Sequence, residues 1–176
     1  MAISDDVWHL VEGKRDDGTP AVFRIRQVEP RPDQPEIFVV EIPYPLTELS
    51  RLPNAAAYRR LAAFEEQWLV PACHALGMTF VASKTEDGSC FVYLYGSGDA
   101  TALVEKLSPF DGALGFFDDH DPEWAEYAAL REILDEARAI STTAPTPAVK
   151  RSPKTKPRTK SKTRATPTSK RRSTKR

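Results

Sequence analysis

Met78–Tyr95 reads MTFVASKTEDGSCFVYLY, and the fold turns on this stretch. Two runs rich in β-branched and aromatic residues, Met78–Thr85 and Ser89–Tyr95, flank Asp87-Gly88. An Asp-Gly pair suits a tight turn with positive φ at both central residues, so the segment predicts a β-hairpin. On the second strand Phe91, Tyr93 and Tyr95 share one face, and Cys90, Val92 and Leu94 share the other. One face must pack helices. The other then needs cover, expected from an N-terminal hairpin, with a partner as the alternative.

Upstream, Ala55–Leu76 predicts a helix, with Asn54 as N-cap and Gly77 just past its end. Leu61, Phe64, Trp68, Leu69, Ala72 and Leu76 make its apolar stripe. Pro71 costs about 3 kcal/mol in a helix interior, so a kink or break is expected near residues 67–71. Further upstream, Glu36–Ile42 (EIFVVEI) is a strand between two proline-bearing loops. Downstream, Asp99–Leu107 reads as a short helix and Ala113–Phe117 as a short strand. The segment from Glu36 to Phe117 therefore has the order β-α-β-β-α-β of a ferredoxin-like unit. Val7–Glu12 and Ala21–Val28, joined through Asp16-Asp17-Gly18, add an N-terminal hairpin. Asp121 should cap a last helix with Pro122 at its first position. That helix runs to about Ile140, with Trp124, Tyr127, Leu130, Leu134 and Ala137 inward. The fold class is α+β.

Charge divides the 176-residue chain more sharply than hydropathy does. The formal net charge is zero, from 25 basic and 25 acidic residues, but the two kinds are segregated. Residues 141–176 hold 13 basic residues and no acidic one, so residues 1–140 carry a net −13. The tail cations are Lys150, Arg151, Lys154, Lys156, Arg158, Lys160, Lys162, Arg164, Lys170, Arg171, Arg172, Lys175 and Arg176. The rest of residues 141–176 is Ser, Thr, Ala, one Val and five prolines, with no aromatic. Such a segment cannot bury enough apolar surface to offset its ordering entropy, so residues 141–176 are expected to be disordered. The organisation is an acidic folded domain, 1–140, followed by a basic tail, 141–176.

Thirteen mobile cations suit a polyanion. Each phosphate contact releases counterions, and a tail without aromatics reads no base, so nucleic-acid contact without sequence preference is expected. Ser152-Pro153-Lys154 and Lys156-Pro157-Arg158 resemble the tails of linker histones in composition. A tethered basic tail can also fold back on an acidic body, at an effective concentration of order millimolar. No apolar run approaches the roughly 18 residues of a membrane span, and nothing near Met1 reads as a secretion signal. Two cysteines are too few for a disulfide framework, so a cytoplasmic protein is expected.

Asp121-Pro122-Glu123-Trp124-Ala125-Glu126-Tyr127 resembles the DPEWxxY signature of the bacterial family catalogued as domain of unknown function 695. Trp8 and the Phe91-Val92-Tyr93 strand fit the same pattern, and the resemblance spans about residues 5–140. It implies an α+β domain, found in some proteins beside a domain resembling the regulator of ribonuclease activity B. It implies no reaction. The residues of the heptapeptide themselves read as structural: a cap, a helix start, and two aromatics one turn apart.

Candidate sites are sparse. Asp118, Asp119, His120 and Asp121 offer oxygen and imidazole ligands, but neighbours on a strand point to opposite sides and Asp121 is assigned to capping. No metal site is assigned. Gly96-Ser97-Gly98-Asp99 precedes a helix without the further glycine and lysine of a phosphate loop. The element order also resembles RNA-recognition motifs, which stack bases on their central strands. Gly88–Leu94 and Ile37-Phe38-Val39-Val40 match those signatures in part, but Asp87, Ser89 and Leu94 depart from them. Cys73 and Cys90 read as buried and inert. No catalytic residue or cofactor is assigned, because HExxH, GxSxG and CxxC are all absent. The expected function is a non-enzymatic binding or regulatory protein acting through its basic tail. The alternatives are a protein-partner module whose acidic body meets a basic surface, such as a nuclease regulator, and a small enzyme.

Overall fold

In a computed structural model the chain is described over residues 6–47 and 50–143. The tail cations Lys150 to Arg176, and the disorder expected there, lie outside the described residues. The strands are β1 (Trp8–Lys14), β2 (Pro20–Arg26), β3 (Glu36–Pro43), β4 (Thr79–Glu86), β5 (Ser89–Gly96) and β6 (Gly115–His120). The helices are α1 (Ala55–Phe64), α2 (Val70–Leu76), α3 (Ala100–Leu107) and α4 (Ala125–Thr143). A π-helical turn, Glu65–Leu69, joins α1 to α2.

The β4–β5 hairpin forms as its sequence requires, with positive φ at Asp87 and Gly88. All pairings are antiparallel, in the order β1-β2-β4-β5-β3-β6. Within β3–β6 this is the fourth-first-third-second order of the ferredoxin-like unit, and the β1–β2 hairpin extends the sheet beyond β4.

Pro71 has the expected effect. It lacks the N–H that would continue the helical ladder, and the break falls immediately before it, as the five-residue π turn. Asn54 caps α1 by accepting from the Ala56 and Ala57 N–H groups. Gly77 ends α2 in the left-handed region at φ +64°, where a Cβ would be strained.

Each face of the sheet buries its own core. On one side Phe38, Val40, Ile42, Val92 and Leu94 meet Phe64, Leu69, Leu103 and Leu107 from α1, α3 and the π turn. On the other, Val11, Ile25, Ile37 and Tyr95 meet Trp124, Tyr127, Leu130 and Leu134. A bulge between Phe80 and Ala82 changes the alternation, placing Phe80 in the first core and both Val81 and Ala82 in the second.

Three expectations are corrected. Strand β6 does not end at Phe117 but continues to His120, because its charged residues face solvent at a sheet edge. Helix α4 starts at Ala125, not at Pro122. Pro122 occupies a turn that the Trp124 N–H closes on the Asp121 carbonyl at 3.1 Å. The N-terminal hairpin does not cover the aromatic face. It lies in the plane of the sheet, and α4, packing against β1, β2 and β4, covers Tyr95 but not the whole face.

Candidate partner groove and helix-side pocket

The heptapeptide that opens α4 is a buried joint. Trp124 sits at φ +55°, an unusual conformation for so large a residue. Its indole stacks on Tyr95, with ring centroids 4.0 Å apart, and its N–H donates to the Gln34 carbonyl at 2.9 Å. Asp121 still caps the helix, from outside it. One carboxylate oxygen accepts from the Ala125 N–H (2.8 Å), and the other accepts from the Glu126 N–H (3.0 Å) and the Tyr95 hydroxyl (2.6 Å). Burial opposes ionisation of Asp121, but these hydrogen bonds outweigh it and hold the carboxyl below its ordinary value. Burial, then the Asp121 hydrogen bond, pushes Tyr95 well above the usual phenol range. The Tyr127 hydroxyl accepts from the Val28 N–H and reaches the Arg26 carbonyl at 2.9 Å. The DPEWxxY residues thus fix α4 to the sheet and to the loop after β2.

Helix α4 covers only part of its face. Beyond it the register aligns Phe117, Val39 and Tyr93 in one row across β6, β3 and β5. A neighbouring row carries Asp119 and Ile37, and another carries Glu41 and Phe91. Ile37, Val39, Phe91, Tyr93 and Phe117 floor a groove of about 610 Å³, walled by Asp119 and His120 of β6 and by Asp121, Ala125 and Glu126 at the start of α4. Phe117 is 56% exposed. Burial first, then Glu126 and Glu86, pushes Tyr93 up to about 12 and keeps its hydroxyl protonated. The groove therefore combines aromatic surface, one phenol donor and a rim of carboxylates.

A second cavity, of about 400 Å³, lies on the opposite face between α1, the π turn, the start of α2 and strands β2 to β5. Its floor includes Arg24, Ser83 and Val92 in one cross-strand row and Thr85, Cys90 and Ile42 in the next. Arg24 forks onto Glu65 of the π turn at 2.7 and 3.1 Å and lies over the Trp8 ring. Pro71 marked the π turn in the sequence, but nothing there marked the cavity or the pairing of residues 24 and 65.

The remaining candidates disperse. Among the described residues no three His, Cys, Asp or Glu side chains converge on one point. Asp119 accepts from the His120 N–H, and His120 Nδ1 lies 2.8 Å from Glu36. Asp99 caps α3 by accepting from the Thr101 N–H. Phe38, the aromatic of the shorter RNA-recognition signature, faces the helical core at 2% exposure and offers no stacking ring. Cys73 and Cys90 are free and buried, and burial raises both thiols, Cys73 to about 12. No described helix is long and apolar enough to cross a membrane.

No curated protein and no solved structure matches this chain. A family described as of unknown function, DUF695, matches residues 6–130, which include both cavities and the DPEWxxY joint. The chain belongs to that family.

Proposed function

We propose that this protein is a non-enzymatic binding protein of the cytoplasm, whose acidic body docks a basic protein segment in the β3–β5–β6 groove. The observation behind the reading is the Phe117–Val39–Tyr93 row left open beyond α4, with Asp119, Asp121 and Glu126 beside it. Guanidinium planes stack on aromatic faces, and carboxylates accept their N–H groups. The same carboxylates repel a phosphate backbone, so a nucleic acid is the poorer occupant. Free, buried cysteines fit a reducing compartment.

The test is titration of the full chain with a decapeptide alternating Arg and Leu, against its Glu-Leu counterpart. Binding of the basic peptide alone is expected, weakened at least tenfold by Asp119→Lys with Glu126→Lys. Equal binding of both peptides, or indifference to the charge reversal, contradicts the reading.

A second reading concerns the tail, and segregated charge favours it: 13 cations and no acidic residue beyond residue 140. Contact with nucleic acid would be non-specific. With about half the cations engaged, binding to duplex DNA should fall with salt at a slope of about −6. Helix α4 runs to Thr143, so removal of the residues after it is the discriminating truncation. Equal DNA and RNA binding with and without the tail, or no binding at low salt, contradicts this reading.

A further inference from the structure

The helix-side cavity is independent of the groove and lies across the sheet from it. Its charged pair is already satisfied. Arg24 and Glu65 neutralise each other through two hydrogen bonds, so the pair offers no net charge to a ligand. Its floor carries a hydroxyl with no partner among the described residues. Ser83 is 6% exposed and lines the cavity, and its hydroxyl, which bonds no other described residue, keeps contact with the water in the cavity. Thr85 beside it donates only a long 3.6 Å contact to the Cys90 sulfur. A ligand polar group that takes the place of that water keeps the hydroxyl hydrogen-bonded. The rest of the lining is mainly apolar, with Ile42, Leu61, Phe64 and Val92. A cavity of about 400 Å³ falls within the ordinary range of small-molecule sites.

We propose that this cavity binds a small, neutral, mainly apolar molecule through one hydroxyl or carbonyl group directed at Ser83. A charged ligand is disfavoured. It would either displace one partner of the Arg24–Glu65 pair or lose its hydration against Val92 and Ile42. The π turn contributes by carrying Glu65 to Arg24, and the pair closes one side of the cavity.

The experiment is amide chemical-shift titration of the full chain near neutral pH with 2-naphthol, and with 2-naphthoate as the charged control on the same ring. Saturable shifts at Ser83, Thr85, Cys90 and Leu61 are expected, with naphthoate at least tenfold weaker. Ser83→Ala should weaken naphthol about fivefold. Ala62 is an exposed lining residue, and Ala62→Trp should abolish binding while leaving the fold intact. No shift at millimolar naphthol overturns the proposal. So do equal naphthoate binding, unchanged binding in Ala62→Trp, and shifts confined to Phe91, Tyr93 and Phe117.

Discussion

Asp121→Ala should destabilise the protein by about 2–4 kcal/mol, and the reason lies chiefly in another residue. The substitution removes an acceptor from three donors. Two are the exposed N–H groups of Ala125 and Glu126, which water can serve, so the lost cap costs about 1 kcal/mol. The third is the hydroxyl of Tyr95, a residue with no exposed surface. Left without an acceptor, it adds about 1–3 kcal/mol. Tyr95→Phe alone removes this donor and also the acceptor of the Tyr127 N–H, and should cost about 1–3 kcal/mol. With both changes made, no hydroxyl is stranded, so the losses should fall short of their sum by about 1–3 kcal/mol. Urea unfolding followed by tryptophan fluorescence and far-ultraviolet circular dichroism measures the cycle. With an m-value of about 2 kcal/mol/M, Asp121→Ala should lower the midpoint by about 1–2 M. Losses that add to within about 0.3 kcal/mol would refute the coupling and the DPEWxxY joint built on it.

Burial and the same bond make stability depend on pH at both extremes. Tyr95 and Tyr93 are raised above their unfolded values, so their contribution is complete below about pH 10 and is lost as pH rises through the folded values. Tyr95→Phe should flatten that alkaline decline. Asp121 is lowered, so its contribution is present above the unfolded carboxylate value and is lost as pH falls through the folded one. Asp121→Asn should flatten the acid decline, measured by thermal unfolding at stepped pH. Gly77→Ala should cost about 1 kcal/mol in urea unfolding. The reason is its backbone at φ +64°, since nothing within 4 Å obstructs a Cβ.

Local chemistry made most of the fold readable. Asp87-Gly88 specified the hairpin, alternation in Glu36–Ile42 and Ser89–Tyr95 specified the central strands, and Asn54 and Gly77 specified the helix ends. Errors arose where a long-range partner overrides local preference. Asp121-Pro122 has the composition of a helix start, yet Trp124 reaches Gln34 and Tyr95 only by leaving helical geometry. Asp118-Asp119-His120 has little strand propensity, yet pairing with β3 extends the ladder through it. The functional surfaces were less readable still. The groove depends on where α4 stops covering the sheet, and the second cavity depends on Arg24 meeting Glu65, 41 residues away. Neither leaves a pattern along the chain.

Amide chemical shifts of the full chain, titrated with the Arg-Leu decapeptide, decide whether the groove is the docking face. Saturable shifts at Val39, Phe91, Tyr93, Phe117 and Glu126 are predicted, lost in Asp119→Lys with Glu126→Lys. No saturable shift, or shifts that survive the charge reversal, would contradict docking of a basic segment on this face.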